Sequence, residues 1–249
     1  MAIITQAKLT DYVRQTIPNF HKAKLESLKK LQLLKLLSRK NPYLLKAKGL
    51  STPRELVKTI LDAYLSSQEE TMLGGFLEGL AVFTAEKAQG AKGKSSTTGV
   101  DIEMDKGGIR YFVAVKSGPV WGNSSQIEQM RKDFSTAAKV YRQNKNALPV
   151  RCVNGCCYGK QSAKSEDKGD YLKLCGQRFW EFLSDDNEFY IKIVEPIGHK
   201  AKERNEEFLA QYELVVDSFT EVFRKHFCGP DNLILWDALM KHSSEAPDR

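Results

Sequence analysis

The chain has 249 residues, a formal charge of +7, and 41% hydrophobic against 28% charged residues. That balance is ordinary for a globular protein with a sizeable core. It excludes a bilayer-spanning chain, because no apolar run approaches the roughly 18 residues a membrane needs. Aromatics make up 10% and are spread along the chain, which argues against disorder.

The start, residues 1–22, is too polar and charged to read as a secretory signal. Five cysteines, Cys152, Cys156, Cys157, Cys175 and Cys228, form an odd set that fits reduced thiols in a cytoplasmic protein. The positive charge is localised. Residues 8–54 hold twelve Lys/Arg and only two acids, Asp11 and Glu26, so this block is +10 and the remainder is −3. Such a block suits a polyanion, most often nucleic acid. The alternative is a solvated helix face.

The predicted elements begin with helices. Leu25, Leu28, Leu31, Leu34 and Leu37 recur every three residues, which predicts a helix over about 23–38 that Asn41-Pro42 closes. Thr52-Pro53-Arg54-Glu55 is a capping box with proline in the first turn, opening a second helix. A third helix is predicted over about 69–88. Residues 89–99, QGAKGKSSTTG, form a flexible loop.

The character then changes. Residues 100–104 and 109–115 are β-rich around the turn chemistry of Asp105-Lys106-Gly107-Gly108, a predicted β-hairpin. Ser125 to Glu128 reads as another capping box, opening a helix to about residue 142. Residues 150–158 predict a buried strand and 159–170 a polar loop. The rest reads as helical, including about 200–225 and a last helix over 232–242 packed through Leu233, Leu235, Trp236 and Leu239. The order predicts an α/β or α+β fold with a small mixed sheet between helical layers.

The hairpin holds the residues with most chemical content. Asp101 follows the glycine-rich loop, and Lys116 ends the second strand fifteen residues later. Glu103 shares the strand face of Asp101. Gln126 opens the next helix, whose N-terminus suits an anion. Glu78 is a carboxylate within the otherwise apolar FLEGLAVF.

An acid on one strand, a turn, and a strand ending in lysine before a helix resembles the PD-(D/E)XK nuclease superfamily. Within it, the chain resembles type II restriction endonucleases of the PmeII type. The resemblance rests on NPYLLKAKG (41–49), SSQEETMLGGFLEGLAVF (66–83), VAVKSGPVWGNSSQ (113–126), VNGCCYGK (153–160), GDYLKLCGQRFWEFLS (169–184) and GHKAKERNEEF (198–208).

It implies a restriction-endonuclease-like core, a small mixed β-sheet flanked by helices with helical N- and C-terminal parts. It also implies Mg²⁺-dependent, site-specific hydrolysis of double-stranded DNA. Carried over by position, Asp101 is a metal ligand and Lys116 the catalytic lysine. Gln126 helps position water or phosphate, and Glu78 matches a supporting helix glutamate. Carboxylates suit a hard cation that keeps several waters, and a lysine beside it offsets developing charge.

The chain departs from that pattern at Ala114, where the motif has an acid, and it lacks the proline before Asp101. Three explanations stand open. Glu103 or Glu78 supplies the second carboxylate, the chain is an inactivated variant, or it binds DNA without cutting; the first is favoured. A zinc site on Cys152, Cys156 and Cys157 is disfavoured by their spacing and the lack of a nearby histidine. No P-loop is present.

DNA contacts are expected from Lys92, Lys94, Ser95 and Ser96 in the loop. Trp121, Asn123, Ser124 and Ser125 after Lys116 are further candidates, as are Asn154, Tyr158 and Lys160 around the next strand. The expected division is a basic helical region (1–65), a catalytic core (66–200) and a C-terminal helical region (201–249). A homodimer acting on a palindromic site is expected, with no nucleotide cofactor and no membrane partner. The alternatives are an inactive sequence-specific DNA-binding protein on a nuclease fold and an RNA-binding module driven by the basic block.

Overall fold

The computed structural model describes residues 4–246; residues 1–3 of the polar start and 247–249 of the C-terminal region lie outside them. The chain forms two compact units, Met1–Pro18 with Leu73–His199 and Asn19–Met72 with Lys200–Arg249. Helices α1 (Gln6–Lys29) and α4 (Pro53–Gln89) contribute residues to both. Residues from the N-terminal and C-terminal helical stretches share the second unit.

The first unit is built on a four-stranded mixed sheet. Strands β1 (Ile102–Lys106), β2 (Ile109–Lys116), β3 (Val150–Cys156) and β4 (Leu172–Cys175) lie in that spatial order. The β1–β2 pair is antiparallel and the other two pairs are parallel. Gly107 and Gly108, both at positive φ, close the hairpin.

Helix α5 (Ser124–Tyr141) is the crossover between β2 and β3 that a parallel pair requires. Its Met130, Phe134 and Ala137 pack on Phe112, Ala114 and Cys152 of one sheet face. Helix α6 (Gln177–Ser184) belongs to the opposite face, where the Phe182 ring meets Tyr111 edge-on at 5.0 Å between centroids. Gly155 makes that packing possible, because a Cβ there would enter the Phe179 ring. The short helices α7 (Phe189–Lys192) and α8 (Val194–Ile197) follow α6.

The second unit is helical. Helices α2 (Leu33–Leu37), α3 (Pro42–Ala47), α9 (Ala201–Phe227) and α10 (Trp236–Ser244) join the adjoining parts of α1 and α4. One core holds Leu28, Leu33, Leu36, Leu37, Val57, Ile60, Leu61, Val216, Phe223 and Leu239. The Thr52–Glu55 capping box forms as expected: the Glu55 N–H donates to Thr52 Oγ1 and the Thr52 N–H to Glu55 Oε2, both at 3.2 Å. Arg54 pairs with Glu213 and Asp217, and Tyr212 donates to Asp62 at 2.6 Å.

Several expectations are corrected. The leucine stripe is not one helix. α1 stops at Lys29 and Gln32 is extended (φ −128°, ψ 119°), yet Leu28 and Leu33 enter the same core because the turn redirects both. Asn41 opens α3, its side chain accepting from the Tyr43 and Leu44 N–H groups, rather than closing a helix. The second and third helices are one, since nothing in residues 65–69 breaks α4.

Strand β4 lies where helix was expected. Four residues carry too little periodicity to show a strand, and parallel pairing with β3 decides it. The last helix begins at Trp236, after Asn232 at φ 60°, and Leu233 and Leu235 are exposed rather than packed. The box on α5 is set by Asn123, not by Ser125. The Asn123 side chain accepts the Gln126 N–H, and Gln126 Oε1 accepts the Asn123 N–H, both at 3.0 Å.

Candidate active site

Asp101 precedes β1 by one residue and is already tied into the ladder, its N–H donating to the Val113 carbonyl at 2.8 Å. One step beyond the Ile102–Val113 pair, it lies opposite Ala114. Its Oδ2 accepts the Val115 N–H at 2.7 Å, so the carboxylate is fixed across the edge of β2. The turn that delivers it requires Gly99, at φ 72°, where a side chain would collide with Asp133.

Lys116 ends β2 on the same face as Ala114. Its Nζ lies 4.9 Å from the centroid of the Trp121 ring, a cation–π placement that orients the ammonium. Ala114 is buried (1% exposed) against α5. The position of the motif acid is thus filled by packing.

Glu78 reaches this place from α4. Burial pushes the Asp101 carboxyl above its ordinary range, against the Val115 hydrogen bond, and the Glu78 charge pushes it further up. Lys116 and Lys94 pull it down. The charges of Glu78, Lys116 and Lys94 therefore all act on Asp101. Glu78 Oε1 accepts from Lys94 Nζ at 2.6 Å. Behind the carboxylates, burial, with Glu78 and Asp101 adding to it, pushes the Cys157 thiol up to about 12, so it stays protonated.

Glu103 has other partners. Its Oε1 accepts from Ser95 Oγ and Thr97 Oγ1, each at 2.6 Å, and its Oε2 from Arg110 at 2.8 Å. Burial raises its pKa, but these bonds outweigh burial and hold it below the usual carboxylate range. Among the described residues no group of three or more His, Cys, Asp or Glu gathers as a metal cluster. Asp101 and Glu78 are the carboxylates here whose chemistry would suit Mg²⁺. They are hard oxygen donors that feel each other's charge, and a hard cation with few protein ligands completes its shell with water.

A family model described as type II restriction endonuclease EcoO109I matches residues 7–205. The chain belongs to that family. No curated protein matches the chain. Membership in the EcoO109I family makes the sheet unit a restriction-endonuclease-like fold and the protein a DNA nuclease whose partner is double-stranded DNA. The PmeII type named from the sequence segments is not the one matched. No described helix is long and apolar enough to cross a membrane.

The DNA-contact candidates divide by burial. Lys92, Lys94, Ser96, Asn123, Ser124, Ser125, Tyr158 and Lys160 are exposed, and Trp121 is half-buried beside Lys116. Ser95 is half-buried and its hydroxyl is committed to Glu103. Asn154 is a correction. It is 1% exposed, donating to Met130 Sδ at 3.0 Å and accepting from Cys156 Sγ at 3.2 Å, so it is a core residue that no base can reach. Gln126 is exposed, with its carbonyl oxygen taken by the Asn123 cap. Sequence reasoning missed the Lys94–Glu78 pair and the Ser95–Thr97 grip on Glu103. Their only signal was lysine and hydroxyl residues crowded into one glycine-rich loop before Asp101.

Proposed function

We propose that this protein is a Mg²⁺-dependent, site-specific type II endonuclease that hydrolyses phosphodiester bonds in double-stranded DNA. The observation that carries the reading is the convergence of Asp101, Glu78 and Lys116 at the end of the β1–β2 hairpin. Catalysis is assigned to the sheet unit, within the 66–200 core expected from the sequence.

Asp101 and Glu78 hold the cation in this reading, so the second carboxylate comes from α4 in place of an acid at position 114. Bound Mg²⁺ supplies a Lewis acid for the phosphate and lowers the pKa of an attacking water. Asp101, fixed by the Val115 N–H, sets where the cation sits relative to the strand end. Lys116, oriented by Trp121, orients the attacking water and offsets the charge that develops on the phosphate. Glu103 supports the hairpin and loop as a hydrogen-bond hub. Gln126 shapes the turn after Lys116 by capping α5.

The exposed loop residues Lys92 and Lys94, with Asn123, Ser124, Ser125, Tyr158 and Lys160, form the DNA face we assign. The quoted segments carry a likeness to the PmeII type within the type II endonucleases. We read the active form as a cytoplasmic homodimer on a palindromic site, since two-fold protein symmetry mirrors two-fold site symmetry.

Ala114 favours a second reading, an inactive sequence-specific DNA-binding protein. Digestion of long unmethylated DNA with Mg²⁺ and with EDTA separates the two. Discrete Mg²⁺-dependent fragments are expected from the natural chain and lost by at least about 100-fold in Lys116→Ala. Fragments from Ala114→Glu alone would establish the inactive reading. Tight DNA binding without scission in every version would leave a binding protein.

A further inference from the structure

We propose that Lys94 is a built-in counter-cation of the metal site. It occupies Glu78 in the metal-free protein, leaves when a divalent cation arrives, and then takes a DNA phosphate. This rests on the assignment of Asp101 and Glu78 as the cation-holding pair.

The argument begins with the backbone. Lys94 forms an antiparallel bridge with Ile102, and the next N–H, of Ser95, donates to the Asp101 carbonyl at 2.9 Å. The loop therefore carries Lys94 as a one-residue extension of the sheet edge, with its Cα fixed beside Asp101. What remains mobile is the side chain, which is 64% exposed. Its ammonium sits 2.6 Å from Glu78 Oε1 and also acts on the Asp101 charge.

Two carboxylates at a half-buried strand end repel each other, and the site lacks the acid at 114 that would add a third. The Lys94 ammonium on Glu78 Oε1 holds that carboxylate in place before metal binds. It also competes with metal, because the ammonium and a divalent cation repel each other at the same carboxylate. Release costs little, because an ion pair that faces solvent is weakly held. Room for the departing side chain is present. Lys94 also borders a cavity of about 450 Å³ lined by Gln89, Ser95, Ser96, Asp105 and Arg110.

Once free, the ammonium is tethered a few ångströms from the carboxylates, where the backbone of a bound duplex must pass for cleavage. A phosphate that draws Lys94 away strengthens metal binding, and metal that expels Lys94 strengthens phosphate binding. That reciprocity is required by linkage. Lys94 is thus a positioning residue that couples metal loading to DNA capture.

The test is Mn²⁺ binding to the full chain, read from the paramagnetic signal of free Mn²⁺ without DNA. Lys94→Met is expected to bind Mn²⁺ about two- to five-fold more tightly than the natural chain, the scale of one accessible ion pair. Lys94→Arg is expected to stay near the natural value. Lys92→Met removes the same charge two residues away and should change little. Adding a cognate or long duplex should tighten Mn²⁺ binding in the natural chain more than in Lys94→Met. Equal or weaker Mn²⁺ binding by Lys94→Met, with binding abolished in Asp101→Asn, would overturn the competition and leave the site assignment standing. Undiminished binding in both Asp101→Asn and Glu78→Gln, or no binding by the natural chain with or without DNA, would remove the site assignment and the proposal together.

Discussion

Asp101 and Glu103 sit two residues apart on one strand face and have opposite fates. Asp101 is desolvated beside another carboxylate, so its pKa is raised. Glu103 is also desolvated but accepts from Ser95, Thr97 and Arg110, so its pKa is lowered. Asp101 keeps a neighbouring charge that its own backbone bond does not offset, whereas Glu103 is already satisfied by three donors. Glu103→Gln should therefore cost about 1–3 kcal/mol of stability at neutral pH, the range for breaking a charged, partly buried network.

The pH dependence has a definite sign. A depressed folded pKa contributes stability above the unfolded glutamate value of about 4.3. That contribution is lost as pH falls through the lower folded value. Urea unfolding of the two chains from pH 7 down to pH 3 should show a gap that closes on acidification. Equal stability at pH 7 would show that the Glu103 network contributes nothing.

At the scale of elements, the start of α5 governs how the loop carrying Trp121 returns from Lys116. Asn123 holds that start through its reciprocal bonds with Gln126, while the Ser125 hydroxyl only donates to Asn123 Oδ1, at 2.7 Å. Asn123→Ala should lower stability by about 0.5–2 kcal/mol, the usual worth of an N-cap. Ser125→Ala should change it by only a few tenths. Chemical denaturation of both variants checks the assignment, and the reverse order would restore Ser125 as the cap. The same scale explains why α4 is one helix. Its breakers are absent, and its buried Leu56, Val57, Ile60 and Leu61 continue into Leu80, Ala81 and Ala85 further along.

Over the whole molecule, the basic block of residues 8–54 is partly consumed by the fold. Lys24 pairs with Glu69 at 2.8 Å and lies over the Phe208 ring, and Arg54 is tied to Glu213 and Asp217. Lys35, Arg39, Lys46 and Lys48 are exposed. If they meet DNA, each phosphate contact removed by substitution to glutamine lowers the slope of log affinity against log salt by about 0.9. The quadruple variant should therefore bind duplex DNA less tightly, with a shallower slope, and without a change in which sequence it prefers. An unchanged slope would make these residues a solvated helix face.

The sequence alone determined the hairpin with Asp101 and Lys116 at its ends, the α5 crossover and β3 that follow it, and the family class that the matched model bears out. These are local properties. Turn glycines, alternating apolar residues and capping boxes act over a few neighbours, so they can be read without a fold. The tertiary structure decided which partner each acid keeps. Glu103 is taken by residues six to eight positions away in a loop and by its own hairpin, Glu78 is brought to Asp101 from a separate helix, and Asn154 is sealed under α5. β4 likewise exists because β3 offers it a parallel edge. Charge pairing and strand pairing are long-range in sequence. Their energy depends on distance and burial in space, and no spacing of residues along the chain encodes that directly.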